Sequence, residues 1–100
     1  MSVIVEFAMF PTDKGESVSE YVSKIIENFR ALKLHYQLTP MGTIFETANV
    51  SEALEVINKS YNILEPHANR VYCTAKFDIR KNRTNGMEQK IKSIMDKNGK

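Results

Sequence analysis

Cysteine, histidine and long apolar runs are scarce in this chain of 100 residues, and each scarcity removes a class of function. A lone Cys73 excludes an intramolecular disulfide framework, and its place in an alternating strand predicts a buried, reduced thiol rather than a nucleophile. The two histidines, His35 and His67, fall in separate segments and offer no zinc-ligand spacing. No apolar stretch approaches the length needed to cross a membrane. The first residues are apolar but carry Glu6 and no basic leader, so a cytosolic protein is expected. The loop Pro11–Glu16 holds one lysine, Lys14, ahead of a helix; it lacks the Gly-x-x-x-x-Gly-Lys spacing of a phosphate loop and is a weak anion site.

What is present is ordinary globular material, 42% hydrophobic and 26% charged. A chain this short builds one core with little surface left for a deep private active site, so completion of a site by a second copy is expected. The formal charge of +2 decides nothing, but its distribution is uneven. Residues 1–75 carry six Lys or Arg against nine Asp or Glu, whereas residues 76–100 carry eight against three. The chain therefore reads as a single domain over 1–100, with a core over 1–80 and a basic link and helix over 81–100.

Residues 2–10, rich in Val, Ile and Phe and closed by Pro11, predict a first strand. Ser17 with Glu20 matches a capping box. Val18, Tyr21, Val22, Ile25, Ile26, Phe29 and Leu32 then form a helical stripe. Residues 35–39 and 43–48 predict two short strands joined by a tight turn at Pro40-Met41-Gly42. Asn49 with Glu52 repeats the capping box, and Val50, Ala53, Leu54, Ile57, Tyr61 and Leu64 mark a second helix stopped by Pro66. Residues 70–80 alternate cleanly, with Val71, Cys73, Ala75, Phe77 and Ile79 set against polar neighbours. Met87, Ile91, Ile94 and Met95 put a narrow stripe on a last, lysine-bearing helix, suited to its own domain or to a neighbouring subunit.

The order β-α-β-β-α-β predicts an α+β, ferredoxin-like sandwich: a four-stranded antiparallel sheet with two helices on one face, plus a C-terminal helix. If Val3-Val5-Phe7-Met9 and Val71-Cys73-Ala75-Phe77 face the helices, then Ile4, Glu6, Ala8, Ile44, Glu46, Tyr72, Thr74, Lys76 and Asp78 share the open face. Glu6 and Glu46 then stand on the two central strands. Two carboxylates in a partly dry site repel, which raises one pKa or demands a cation, and Lys76, on the strand expected beside the first, could supply it. This set reads either as an ion-pair cluster of Glu6, Glu46 and Lys76 at a subunit interface or as a pocket for an organic cation. In the second reading Ile44, Phe10 or Tyr72 meets a flat ring. Thr43 has the opposite strand parity to Glu46, so its hydroxyl serves the turn unless a bulge intervenes.

Four strings extend the reading: Val5-Glu6-Phe7-Ala8-Met9-Phe10-Pro11, Ser17-Val18-Ser19-Glu20-Tyr21-Val22, Pro40-Met41-Gly42-Thr43 with Glu46, and Arg70-Val71 followed by Lys76-Phe77-Asp78-Ile79-Arg80. In this order they resemble the MTH1187/YkoF-like thiamine-binding protein family over nearly the whole chain. The resemblance implies a ferredoxin-like domain, assembly into homodimers and often dimers of dimers, and binding of thiamine or its pyrimidine portion without catalysis. The pattern carries over at Glu6, Thr43 and Glu46. It departs at Thr47, where the family has Gly, and at Ala8, where a small hydroxyl residue is common. The ligand-binding set expected from both readings is Glu6, Thr43, Ile44, Glu46, Tyr72, Thr74 and Lys76, with no catalytic residue and no metal.

Three rival classes share the fold order. An RNA-recognition module needs exposed aromatics and a basic surface on the central strands, where this chain has Glu6 and Glu46. An acylphosphatase-like enzyme needs an arginine after the first strand, where this chain has Lys14. A purely structural or regulatory homo-oligomer, burying the open face against a second copy, is the alternative with the most support.

Overall fold

The computed structural model describes residues 1–98. Strands β1 (Ser2–Pro11), β2 (His35–Thr39), β3 (Gly42–Thr47) and β4 (Val71–Arg80) form one antiparallel sheet in the order β2-β3-β1-β4. Helix α1 (Ser19–Ala31) links β1 to β2, and α2 (Val50–Leu64) links β3 to β4 through a single 3-10 turn, Glu65–His67. Helix α3 (Gly86–Lys97) follows β4. This is the expected α+β sandwich, with β1 and β3 central.

The core lies between the sheet and the first two helices. Val3, Val5, Phe7 and Met9 of β1 meet Ile25, Ile26 and Phe29 of α1 and Ala53, Val56 and Leu64 of α2. Phe29 is central to it, with ring centroids 5.6 Å from Phe45 and 6.1 Å from Phe7. Helix α2 begins as expected: the Asn49 side chain accepts the Glu52 N–H at 2.8 Å, and Glu52 reaches back to the Ala48 N–H at 3.2 Å. Such a cap contributes about 1 kcal/mol.

The sequence and the structure part in several places. The capping box at Ser17 and Glu20 does not form; α1 starts at Ser19 behind Val18, without a side-chain cap. On α2, Leu54 and Tyr61 are exposed, while Val56 and Ser60, one turn apart, are buried. Ser60 is accommodated because its hydroxyl donates to the Val56 carbonyl at 2.8 Å, which satisfies it inside the core.

The alternation of β4 is real, but its apolar row is not covered. Cys73 is exposed, contrary to expectation, and Phe77 and Ile79 are exposed as well. The reason is position: β4 is an edge strand, and the helices spend their apolar faces on the central strands. Partial enclosure still pushes the Cys73 thiol above its ordinary pKa, which argues against an activated nucleophile. The stripe of α3 behaves similarly. Met87 is buried, whereas Ile91, Ile94 and Met95 face outward.

Candidate functional site

On the open face the register aligns Glu6 with Ile44 on one side and Lys76 on the other, and Ile4 with Glu46 and Asp78. Glu6 and Glu46 are therefore diagonal neighbours on the two central strands. The Glu6 side chain is 60% exposed and its carboxylate lies 3.8 Å from the Lys76 ammonium. An ion pair so wet contributes little stability, and the carboxylate stays free to meet another cation. Farther along the row Ala8 faces Thr74 and Phe10 faces Tyr72, with the Phe10 and Tyr72 ring centroids 5.9 Å apart. Five of the expected residues, Glu6, Ile44, Tyr72, Thr74 and Lys76, thus share one face.

Glu46 does something the sequence did not reveal. Its Oε2 accepts the Ser2 hydroxyl at 2.6 Å and the Gly86 N–H at 2.7 Å, and its Oε1 accepts the Met87 N–H at 3.2 Å. The carboxylate caps the N-terminus of α3, where unpaired amides and the helix dipole favour negative charge. His35 Nδ1 lies 3.7 Å away. Burial pushes the Glu46 pKa up, but the bonds from Ser2, Gly86 and Met87 and the nearby His35 outweigh it and hold the group below the usual carboxylate range.

Beside it sits Arg83, which sequence reasoning assigned to a polar link. Its guanidinium is buried, donating to the Ser2 hydroxyl at 3.1 Å, the Ser2 carbonyl at 3.2 Å, the Asp78 carboxylate at 3.0 Å and the Asp78 carbonyl at 3.1 Å. A Cβ on Gly86 would run into this guanidinium, so a glycine lets the helix start against it. Lys90, one turn into α3, also pairs with Asp78. Hydrogen bonds from Lys90 and then Arg83 lower the Asp78 pKa. Nothing in the local sequence around Arg83 distinguishes it from an exposed link residue. Its partners lie at the far end of β1 and on β4.

Thr43 stands apart from the others, as its parity requires. The β1–β3 register runs unbroken from Val3 with Thr47 to Phe7 with Thr43, so there is no bulge, and Thr43 is buried on the helix side. There it helps line a cavity of about 360 Å³ with Val22 and Ile26 of α1, Phe7 and Met9 of β1, and Leu38 of β2. The expected set is therefore divided between two sides of the sheet, with the Glu46 carboxylate engaged at the root of α3. Among the described residues no group of three or more His, Cys, Asp or Glu is arranged to hold a metal ion. No helix among them is long and apolar enough to cross a membrane.

Residues 5–95 match the family model described as thiamine-binding protein. The chain is 35% identical over 92 residues to the UPF0045 protein MJ1052 of Methanocaldococcus jannaschii, covering 92% of this chain and 91% of that one. It is 35% identical over 83 residues to the UPF0045 protein YqgV of Bacillus subtilis, covering 78% of this chain and 79% of that one. The crystal structure of MJ1052 superposes with a TM-score of 0.81 over 93% of this chain and 95% of its own. Protein TM0486 of Thermotoga maritima, at 19% identity, shares the fold with a TM-score of 0.78 over 93% of this chain and 99% of its own.

Proposed function

Because the chain belongs to the thiamine-binding protein family, we propose that it binds thiamine or a related pyrimidine reversibly and without catalysis, on the open sheet face near a subunit boundary. The observation that carries this reading is the Glu6 carboxylate, exposed and only loosely paired, in a row that leads through Ala8 to the Phe10 and Tyr72 rings. Thiamine joins a permanently cationic thiazolium to an aminopyrimidine. A carboxylate neutralises the first, and an aromatic face adds a cation–π or stacking contact. Ile44 borders Glu6 across the strand, while Thr74 and Lys76 line the β4 side. The Glu46 carboxylate acts at one remove in this reading, by holding α3 at the border of the face.

Isothermal titration tests it. Thiamine is expected to bind the full chain, and Glu6→Gln to weaken it by about tenfold or more, the loss of one charge-assisted contact of roughly 1.5 to 3 kcal/mol. Absence of heat at millimolar thiamine with folded protein would overturn the proposal.

The same reading includes a homo-oligomer, its concrete form being a dimer or a dimer of dimers in the family pattern. Two features support self-association. Strand β4 is a ten-residue edge whose outer hydrogen-bonding groups have no strand partner among the described residues, and its exposed Phe77 and Ile79 add an apolar surface. Light scattering is expected to give twice or four times the 11.5 kDa chain mass. A strictly monomeric protein at high concentration would leave those surfaces without this explanation.

A further inference from the structure

The end of the sheet away from Phe10 and Tyr72 holds a separate cleft of about 380 Å³ that the thiamine reading leaves unused. It lies where the segment after α1, the first residue of β2, the end of β3, the start of α2 and the link before α3 come together. Leu32, Leu34 and Ala48 give it apolar walls. Lys33, His35, Glu46 and Glu52 give it a cation, an imidazole and two carboxylates.

Glu46 is the fixed point. Its side chain is only 9% exposed, and among the described residues no lysine or arginine is in ion-pair contact with it. Oε2 carries two short bonds, whereas Oε1 takes only the longer one, from the Met87 N–H at 3.2 Å. The β2–β3 register sets His35 directly opposite, with its Nδ1 stopping 3.7 Å from Oε1. That separation is too long for a hydrogen bond and short enough for one nitrogen donor to reach both atoms. In the neutral imidazole with its proton on Nε2, Nδ1 is an acceptor. Glu52 spends one oxygen on the Ala48 N–H and keeps the other. An ammonium, with three N–H groups, matches these acceptors. A metal ion matches them less well, since among the described residues no three His, Cys, Asp or Glu converge.

The cation of the cleft is Lys33. It pairs with no carboxylate among the described residues, although two border the same space. A ligand with positive charge alone would meet Lys33 unfavourably, whereas one with a carboxylate beside its ammonium meets opposite charge at both ends. Asn85, also on the wall, carries an amide that donates to a carboxylate. We propose that this cleft binds a small α-amino acid with an aliphatic side chain. Its ammonium sits between Glu46 Oε1 and His35 Nδ1, its carboxylate turns toward Lys33 and Asn85, and its side chain packs on Leu32, Leu34 and Ala48. At about 380 Å³ the cleft is near the lower end of small-molecule sites, which suits a ligand of this size. The site is distinct from the Glu6 row, so it stands or falls independently of thiamine binding.

The test uses the full chain, labelled with nitrogen-15, and three probes: L-valine, isobutylamine, which is valine without its carboxylate, and isovalerate, which is valine without its amine. Valine is expected to move the amide resonances of Lys33, His35, Ala48 and Asn85 in a saturable way, and each truncated probe to bind about tenfold or more weakly. Lys33→Gln, a change at an exposed side chain, should weaken valine by a similar factor and leave isobutylamine unaffected. Isobutylamine binding as tightly as valine overturns the carboxylate recognition, and isovalerate doing so overturns the ammonium seat at Glu46 and His35. Shifts confined to Glu6, Ile44 and Tyr72 overturn the placement. No saturable shift with valine at high millimolar concentration on folded protein overturns the proposal outright, whatever thiamine does.

Discussion

Replacing Arg83 with methionine is expected to lower stability by about 3 kcal/mol and to detach α3. Methionine roughly keeps the bulk of the side-chain stem but leaves the Ser2 carbonyl and hydroxyl and the Asp78 carbonyl without their donor. The lower end of the cost for breaking a buried charged contact applies because Asp78 is half-exposed and can rehydrate. Against a total of about 5 to 15 kcal/mol for a small domain, such a loss is large. Urea unfolding gives the change in stability. Hydrogen exchange at Gly86 and Met87 gives its location, and both amides are expected to exchange faster. An unchanged midpoint, with those amides still protected, would show that α3 is held without Arg83.

Glu46→Gln is the second large effect, about 2 kcal/mol at neutral pH. The amide keeps one acceptor oxygen but turns an N–H group toward the donors at the start of α3, where the carboxylate now receives Ser2, Gly86 and Met87 together. The effect carries a pH signature. The folded-state pKa of Glu46 lies below its value in the unfolded chain, so the native state releases this proton more readily. Its stabilisation is fully present above the ordinary glutamate range and fades as pH falls through the depressed folded value. The gap between wild type and Glu46→Gln should therefore be wide at pH 7 and shrink in acid, as read by urea midpoints across the range. A Gln variant of full stability that no longer bound thiamine would instead place Glu46 in contact with ligand.

Both effects concern the attachment of α3, and that attachment determines how the open face is used. Helix α3 contacts β1, and Ile4 of β1 is buried although it lies on the face away from α1 and α2. The remainder of that face, from Glu6 to Phe10, stays available. Carboxylates that looked equivalent in an alternation pattern have thereby taken different work: Glu6 faces solvent and Glu46 holds a helix.

The order of strands and helices, the inward row of β1 and the opposite parities of Thr43 and Glu46 were legible because they are local. Period-2 and period-3.6 patterns, a proline, a glycine and an Asn-Glu cap determine them within a few residues. The same periodicity could not say that the apolar row of β4 is uncovered, since coverage depends on which strands the two helices reach. Nor did it mark Arg83 or assign Glu46, whose partners at Ser2 and Gly86 are 81 and 40 residues or more away along the chain. Side-chain periodicity is a property of one strand, whereas coverage, charge pairing and ladder length are relations between elements, which only the folded arrangement decides.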